Sequence, residues 1–429
     1  MRFANAMRVA LICALVALVS SCATEQQRAS GAAPWLNASA PQSYVVVTVR
    51  NSTAPAVRAG STARDYDAVS TYGPSPRARA DVDAIAARYG LRPVNAWPID
   101  VLRVHCIVYA LTSNDSVDAI VKRLRQDKRV ESAQPLNSFA ALASDAVSPL
   151  QAKTYSDPYF KLQTNLQMLE VPRTQQFSRG EGVRVAVVDT GIDAGHPDLV
   201  GRVAVQRDFV GAAQVNAASE RHGTAVAGVI AALDNNREGI VGVAPGARLL
   251  ALRACWQAGR DDARALCNTF TIAQALAAAI ELRADVVNLS LGGPADPLLD
   301  RLVDAGMRRG IVYVGAMAPN VGAADTLFPA NIGGVISVNN ADEPRNDVHS
   351  VRAPGNNILT LVPGGYDFMS GSSLAAASVS GGVALLLSHR RSTRRAALYS
   401  ALMHSEGVKQ SVDFCVAMAE IDKRTTCAR

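Results

Sequence analysis

The apolar positions of this chain fall into two stretches of different character. Between Ser43 and Phe139, Val82, Ile85, Ala86 and Tyr89 sit at i, i+3, i+4 and i+7, one face of a helix, and Val117, Ile120, Val121 and Leu124 repeat that spacing. Tyr44 to Val49 reads as a strand, and strand-like segments, Leu102 to Leu111 among them, lie between and after the two helices. The resulting β-α-β-β-α-β order is a ferredoxin-like motif. From Asp157 onward the pattern changes. Val185 to Val188 is a continuous apolar run, as a parallel strand covered on both faces requires. Helices over Thr271 to Arg283 and Pro297 to Arg309 alternate with strands over Asp285 to Leu291 and Ile311 to Ala316. That alternation predicts parallel βαβ units in one doubly wound α/β domain over residues 157–429. Residues 140–156 are loose and polar, and read as a linker.

The first residues carry an address. Arg2 and Arg8 precede an apolar run, Val9 to Val19, that is too short for a stable span and is flanked like a signal peptide. It ends in Val19-Ser20-Ser21-Cys22, which resembles the bacterial lipobox, with Cys22 as the lipidated residue after removal of residues 1–21. Residues 22–42 are polar and aperiodic, a tether. The expected location is the bacterial cell envelope, membrane-anchored and facing the periplasm or in the outer membrane, with release after processing as a further outcome.

Composition adds bounds. The chain has 429 residues, 49% hydrophobic and 19% charged, a globular balance with ample material for a large core. A net charge of +6 with scattered arginines and 5% aromatics, and no nucleic-acid motif, leaves solvated surface as the reading of the basic residues. An oxidising compartment suits two short-loop disulfides, Cys255 with Cys267 and Cys415 with Cys427, and leaves Cys106 as a buried thiol inside a strand. No Cys-x-x-Cys or His-x-x-x-His spacing suggests zinc, and no cofactor is implied.

Three segments carry chemistry. Val185-Ala186-Val187-Val188-Asp189-Thr190-Gly191 places Asp189 at the carboxyl end of the apolar strand, where open α/β sheets carry their sites. His222-Gly223-Thr224-Ala225 and Gly371-Ser372-Ser373-Leu374-Ala375 each open a run of small and apolar residues that reads as a buried helix. A serine hydroxyl needs an imidazole to take its proton, and the imidazole needs a carboxylate to fix its tautomer. Asp189, His222 and Ser373 are those three groups. His196 follows Asp189 too closely and precedes Pro197, so it belongs to a turn.

The order Asp, His, Ser is that of the subtilisins, and the motifs resemble those of the subtilase family of serine peptidases over about two-thirds of the chain. The family's Gly-Thr-Ser-Met-Ala pattern puts the nucleophile at Ser373 and not at Ser372. Ser290-Leu291-Gly292-Gly293 is similar to the family segment that pairs with an extended substrate, which makes Ser290, Leu291 and Gly292 substrate-binding candidates. By position, residues 43–139 resemble the family's inhibitory propeptide, so polypeptide substrates, the chain's own propeptide and a membrane are the expected partners. Structural calcium is compatible with the resemblance, but no ligand set for it is readable in the chain.

Departures from the family matter as well. Where subtilases carry the oxyanion-donating asparagine, this chain has Pro319, with Asn320 one residue late, and Ala377 replaces the proline after the nucleophile. Loss of one oxyanion donor costs about 10²–10³ in kcat, so the expectation is a slow endopeptidase. The competing expectation is a catalytically silent binding module of the same fold.

Overall fold

The computed structural model describes residues 43–51, 73–112, 115–141, 155–211, 216–257, 265–317, 327–343, 349–406 and 410–426. Its first unit runs β1 (Tyr44–Arg50), α1 (Pro76–Tyr89), β2 (Leu91–Ile99), β3 (Val104–Leu111), α2 (Val117–Leu124) and β4 (Val130–Pro135). The strands form one antiparallel sheet in the order β2-β3-β1-β4. Local signals set the ends of α1. Ser75 Oγ accepts from Ala78 N at 3.0 Å, Pro76 opens the helix, and Gly90 closes it at φ 62°. β3 begins at Val104 and not Leu102, because Asp100–Leu102 coil into a 3₁₀ turn. β1 is apolar throughout because both faces are covered. Val45 and Val47 meet α1 and α2, while Tyr44 and Val46 meet the helices of the second unit.

That second unit is built on a seven-stranded sheet in the order β16-β15-β13-β11-β6-β8-β7, parallel at every pair. These strands are β6 (Arg184–Asp189), β7 (Val203–Asp208), β8 (Arg248–Arg253), β11 (Val286–Leu289), β13 (Val312–Ala316), β15 (Ile336–Asn340) and β16 (Val351–Ala353). Val185 and Val187 pack on one side with α3 (Arg221–Ala231), α6 (Ser372–His389), α7 (Arg395–His404) and α8 (Phe414–Ile421). Ala186 and Val188 pack on the other with α4 (Thr269–Glu281) and α5 (Pro297–Met307). The fold is therefore the doubly wound α/β sheet, preceded by a small α+β unit. α6 is long and apolar enough to cross a membrane, but 89% of that stretch is buried here, and it serves as the central core helix.

Two element boundaries differ from the sequence expectation for clear reasons. α4 starts at Thr269, two residues early, because the Asn268 side chain accepts from Phe270 N and Thr271 N, each at 3.0 Å, in a capping box. The strand expected over Asp285 to Leu291 breaks at Ser290 into β11 and β12 (Leu291–Pro294).

The expected linker also starts later than Ala140. Ser138–Ala141 forms β5, which leaves the first unit and enters a second sheet, β14-β12-β5-β10-β9. Its other members are β9 (Cys255–Gln257), β10 (Ala265–Asn268) and β14 (Leu327–Phe328). β5 runs antiparallel to β12, with Ala141 opposite Leu291 and Ala140 opposite Gly292, and antiparallel to β10, with Phe139 opposite Cys267. Just before β5 the first unit is fastened to the helix ends of the second. Asn137 Nδ2 donates to Asp296 Oδ2 at 3.1 Å, Gln134 Nε2 donates to Oδ1 of the same carboxylate, and Asn137 exchanges hydrogen bonds with Thr269. Asp296 is the N-cap of α5, and Thr269 is the first residue of α4.

Candidate active site

Asp189 ends β6, and His222 is the second residue of α3, so a strand end and a helix start must meet for the pair to form. Gly223 permits it. A Cβ there would lie 2.5 Å from the carbonyl oxygen of Thr190, so only glycine lets α3 seat this closely. Asp189 Oδ1 accepts from His222 Nδ1 at 2.7 Å and from Thr190 N at 2.7 Å. Both side chains are buried. With Nδ1 donating to the carboxylate, Nε2 is left as the free lone pair, the tautomer a general base needs. That Nε2 is buried with no hydrogen-bond partner among the described residues.

Ser373 is the second residue of α6, whose N-cap Gly371 holds φ 144°, a backbone conformation that favours glycine. Its Oγ donates to the carbonyl of Ser290 at 3.2 Å. Ser290 Oγ in turn donates to the Ser373 carbonyl at 2.9 Å, Asn288 Nδ2 donates to Ser290 Oγ at 2.8 Å, and Ser380 Oγ donates to Asn288 Oδ1 at 2.8 Å. A buried chain of side chains thus fixes the start of α6 against the end of β11. The structure brings Asp189 and His222 into contact and leaves the Ser373 hydroxyl turned to Ser290. Ser290, expected at the substrate edge, is instead wired to Ser373. Leu291 and Gly292 do form the edge that pairs with β5.

Sequence reading missed a second cluster behind His222. Glu220 is fully buried, two residues before the histidine. Its carboxylate takes Arg253 Nη2 and Nε at 2.7 and 2.9 Å, Gly191 N at 2.6 Å and Gln257 N at 3.2 Å. Arg253 also reaches Asp208 at 2.9 Å. Glu220 therefore ties the loop after Asp189, the end of β8 and the end of β9 to the first turn of α3. The available signal was Arg253 closing an apolar strand, Leu249-Leu250-Ala251-Leu252, as Asp189 closes its own.

The remaining candidates place as follows. His196 Nδ1 accepts from Asp198 N at 3.1 Å and its Nε2 bonds the Gly365 carbonyl at 3.0 Å, a turn histidine. Cys255 and Cys267 are joined, directly opposite each other in the β9–β10 hairpin. Cys415 is disulfide-bonded, while Cys427, Cys22 and Asn320 lie outside the described residues. Cys106 is a free, buried thiol in β3, and burial pushes its pKa up to about 12. Among the described residues no group of three or more His, Cys, Asp or Glu is placed to hold a metal ion.

The subtilase-family model matches residues 180–417. Thermitase of Thermoactinomyces vulgaris is 35% identical over 250 residues, 56% of this chain and 87% of that protein. A thermophilic serine proteinase of Bacillus sp. is 35% identical over 288 residues, 64% of this chain and 68% of that protein. Among solved structures, fervidolysin from Fervidobacterium pennivorans, a keratinolytic enzyme related to subtilisin, superposes with a TM-score of 0.68 at 22% identity. That match covers 88% of this chain and 61% of fervidolysin, and likens the fold alone. The chain belongs to the subtilase family and is a serine-type endopeptidase.

Proposed function

We propose that the chain hydrolyses peptide bonds through Ser373, His222 and Asp189 by way of an acyl-enzyme, and that it is made as a self-inhibited precursor exported and lipid-anchored at Cys22. The carrying observation is the 2.7 Å contact of Asp189 with a buried His222 whose Nε2 has no hydrogen-bond partner among the described residues, with Ser373 in the first turn of α6, the helix packed against α3. In this mechanism the Ser373 hydroxyl rotates from the Ser290 carbonyl to His222 Nε2. As Oγ attacks the substrate carbonyl, its proton passes to Nε2, and Asp189 stabilises the imidazolium. His222 then gives that proton to the leaving amine. A water molecule, deprotonated by the same nitrogen, releases the acyl group from Ser373. Negative charge developing on the carbonyl oxygen is favoured by the positive end of α6, with Asn320 as the proposed side-chain donor.

The inhibitor reading is supported by β5, which lies in the cleft between β12 and β10 as an added strand, the posture of an extended peptide substrate. Its register sets Ala141 opposite Leu291, one residue beyond Ser290. The bond favoured for self-cleavage is then Leu142–Ala143. Lipid attachment rests on the sequence around Cys22 alone.

One experiment tests the core of this reading. A labelled fluorophosphonate, applied to the purified protein, is expected to modify Ser373, and intact-mass analysis is expected to find a mature chain beginning at Ala143 and a lipidated Cys22. A folded protein left unmodified at Ser373 would falsify the nucleophile assignment. A first residue elsewhere overturns the register, and an unlipidated Cys22 overturns the anchor.

A further inference from the structure

The arginines scattered in the sequence are gathered by the fold at the end of the sheet opposite the candidate active site. A cavity of about 370 Å³ opens where β6, β11 and β13 begin, lined by Arg184, Arg283, Arg309, Arg391 and Arg395 around a single carboxylate, Asp285. Four separate stretches of chain supply them: the first residue of β6, the turn between α4 and β11, the turn between α5 and β13, and the segment from the end of α6 into α7.

The carboxylate is already engaged. Asp285 Oδ1 meets Arg391 Nη1 at 2.8 Å, while Oδ2 takes the Arg184 backbone N at 2.8 Å and lies 3.9 Å from Arg184 Nε. Arg309 and Arg395 each spend one N–H on a helix-end carbonyl, Ala305 at 3.1 Å and Met307 at 3.4 Å. The Arg283 backbone N donates to the Ile280 carbonyl at 3.1 Å, and its guanidinium has no hydrogen-bond or ion-pair partner among the described residues. Each guanidinium carries five N–H donors, so most of the donor capacity facing the cavity is unspent. Arg391 also donates to the Gly182 carbonyl, but five positive groups around one carboxylate repel each other, and Asp285 offsets only part of that repulsion.

We propose that this cavity is a binding site for a ligand bearing two or more phosphate groups. Planar guanidinium forks match phosphate oxygens in pairs. Four uncompensated charges and this volume call for more than one phosphate. The occupant would not compete with a peptide substrate. Arg184 opens β6 and Asp189 closes it, so about 16 Å of strand separates the two sites. The phosphate groups could belong to a soluble polyphosphorylated molecule or to the headgroups of an anionic membrane, and these are distinguishable.

Titration calorimetry of the full chain with sodium tripolyphosphate, at fixed ionic strength, is expected to show saturable binding of one ligand per chain. Sulfate at the same ionic strength is expected not to reproduce it. The double variant Arg283→Ala/Arg395→Ala should weaken binding by about tenfold or more, with its melting temperature and peptidase activity unchanged. Arg283→Glu, on an exposed turn, is the second variant and should weaken it further. Flotation with vesicles of phosphatidylcholine alone, or mixed with phosphatidic acid, assigns the source. Tripolyphosphate-sensitive recovery only with phosphatidic acid points to the membrane, and no recovery with either points to a soluble ligand. Unsaturable binding, binding matched by sulfate, or equal affinity in parent and variants would overturn the proposal.

Discussion

β5 is held between two edges of unlike construction. On one side, β12 pairs with it through Leu291 and Gly292, followed by Gly293, small residues that let another backbone come close. This edge leaves directly from Ser290, which is bonded to Ser373 in both directions. On the other side, β10 is one arm of a hairpin closed by the Cys255–Cys267 disulfide. Where that hairpin turns, at the last residue of β9, Gln257 N donates to Glu220, two residues before His222. One edge is thus wired to the proposed nucleophile and the other to the proposed base. A peptide that spans both edges is gauged against both reacting groups, so misplacement at either costs alignment as well as affinity.

The largest effects are expected where those connections end. Ser373→Ala and His222→Ala should each lower kcat by about 10⁶, since the two act as a unit. Both variants should also leave the chain uncut on a gel. Ser372→Ala removes a buried hydroxyl that has no hydrogen-bond partner among the described residues, and should keep most of the activity. Full turnover of a peptide substrate by either of the first two variants would remove that residue from the mechanism.

Next in size is the connection to the base. Glu220→Ala removes both carboxylate contacts of the Arg253 guanidinium and the acceptor that Gly191 N and Gln257 N share, while the Arg253–Asp208 pair stays. Breaking such a buried pair costs about 3–5 kcal/mol, and a shift of His222 by about 1 Å costs about 10² in kcat/KM. Glu220→Gln keeps an oxygen acceptor in place without the charge, so it should fall between wild type and alanine. If kcat is unchanged in a Glu220→Ala protein that is measurably destabilised, Glu220 serves the fold alone and the two edges are not separately coupled.

The same contrast explains what could be read from the sequence. Asp189, His222 and Ser373 were legible because each stands at a fixed place beside glycine and an apolar run, and such signals are local. β12 was legible through its glycines. β10 was not, because Ala-Leu-Cys-Asn has no alternation and becomes a strand only by pairing with β9 and β5. Ser138–Ala141 was split between domain and linker for the same reason, since its partners lie more than a hundred residues ahead in the chain. Ser290 looked like part of one long strand until its hydroxyl and carbonyl were found bonded to Ser373. Glu220 and Arg253 give no local signal of their pairing, because they sit 33 residues apart and meet only when β8 lies against the loop after β6.

The disulfide edge predicts a smaller effect. Replacing Cys255 and Cys267 together by serine opens a loop with a sequence separation of 12, worth about 3 kcal/mol of stability on the chain-entropy estimate. If the hairpin acts as a substrate edge wired to the base, KM for peptides should rise, and kcat should fall by less than in Glu220→Ala, because the Glu220 carboxylate itself remains. A fall in kcat with KM constant would reverse the assignment of the two edges.

The smallest effect concerns how long β5 stays in place. It is tethered to a unit whose β3 buries His105, opposite Val49 of β1 on the face that meets α1 and α2. The His105 Nδ1 has no hydrogen-bond partner among the described residues. Burial holds its pKa below the ordinary 6.5, and Arg79 on α1 adds to the shift. Between the lowered folded value and the unfolded one, the unfolded chain carries a proton that the folded chain refuses, so stability rises with pH. The contribution is fully present above about 6.5 and is lost as pH falls toward the folded value. Urea unfolding of the uncut Ser373→Ala chain, followed by tryptophan emission, should therefore give a lower first midpoint at pH 5.5 than at pH 7.5. Trp97 reports on this unit through its edge contact with Phe270 of α4, at 6.3 Å. His105→Gln removes the titrating group, so its midpoint should change less between the two pH values. A drop of the same size in that variant would show that the acid sensitivity of the unit lies in other groups, and that β5 is not released through His105.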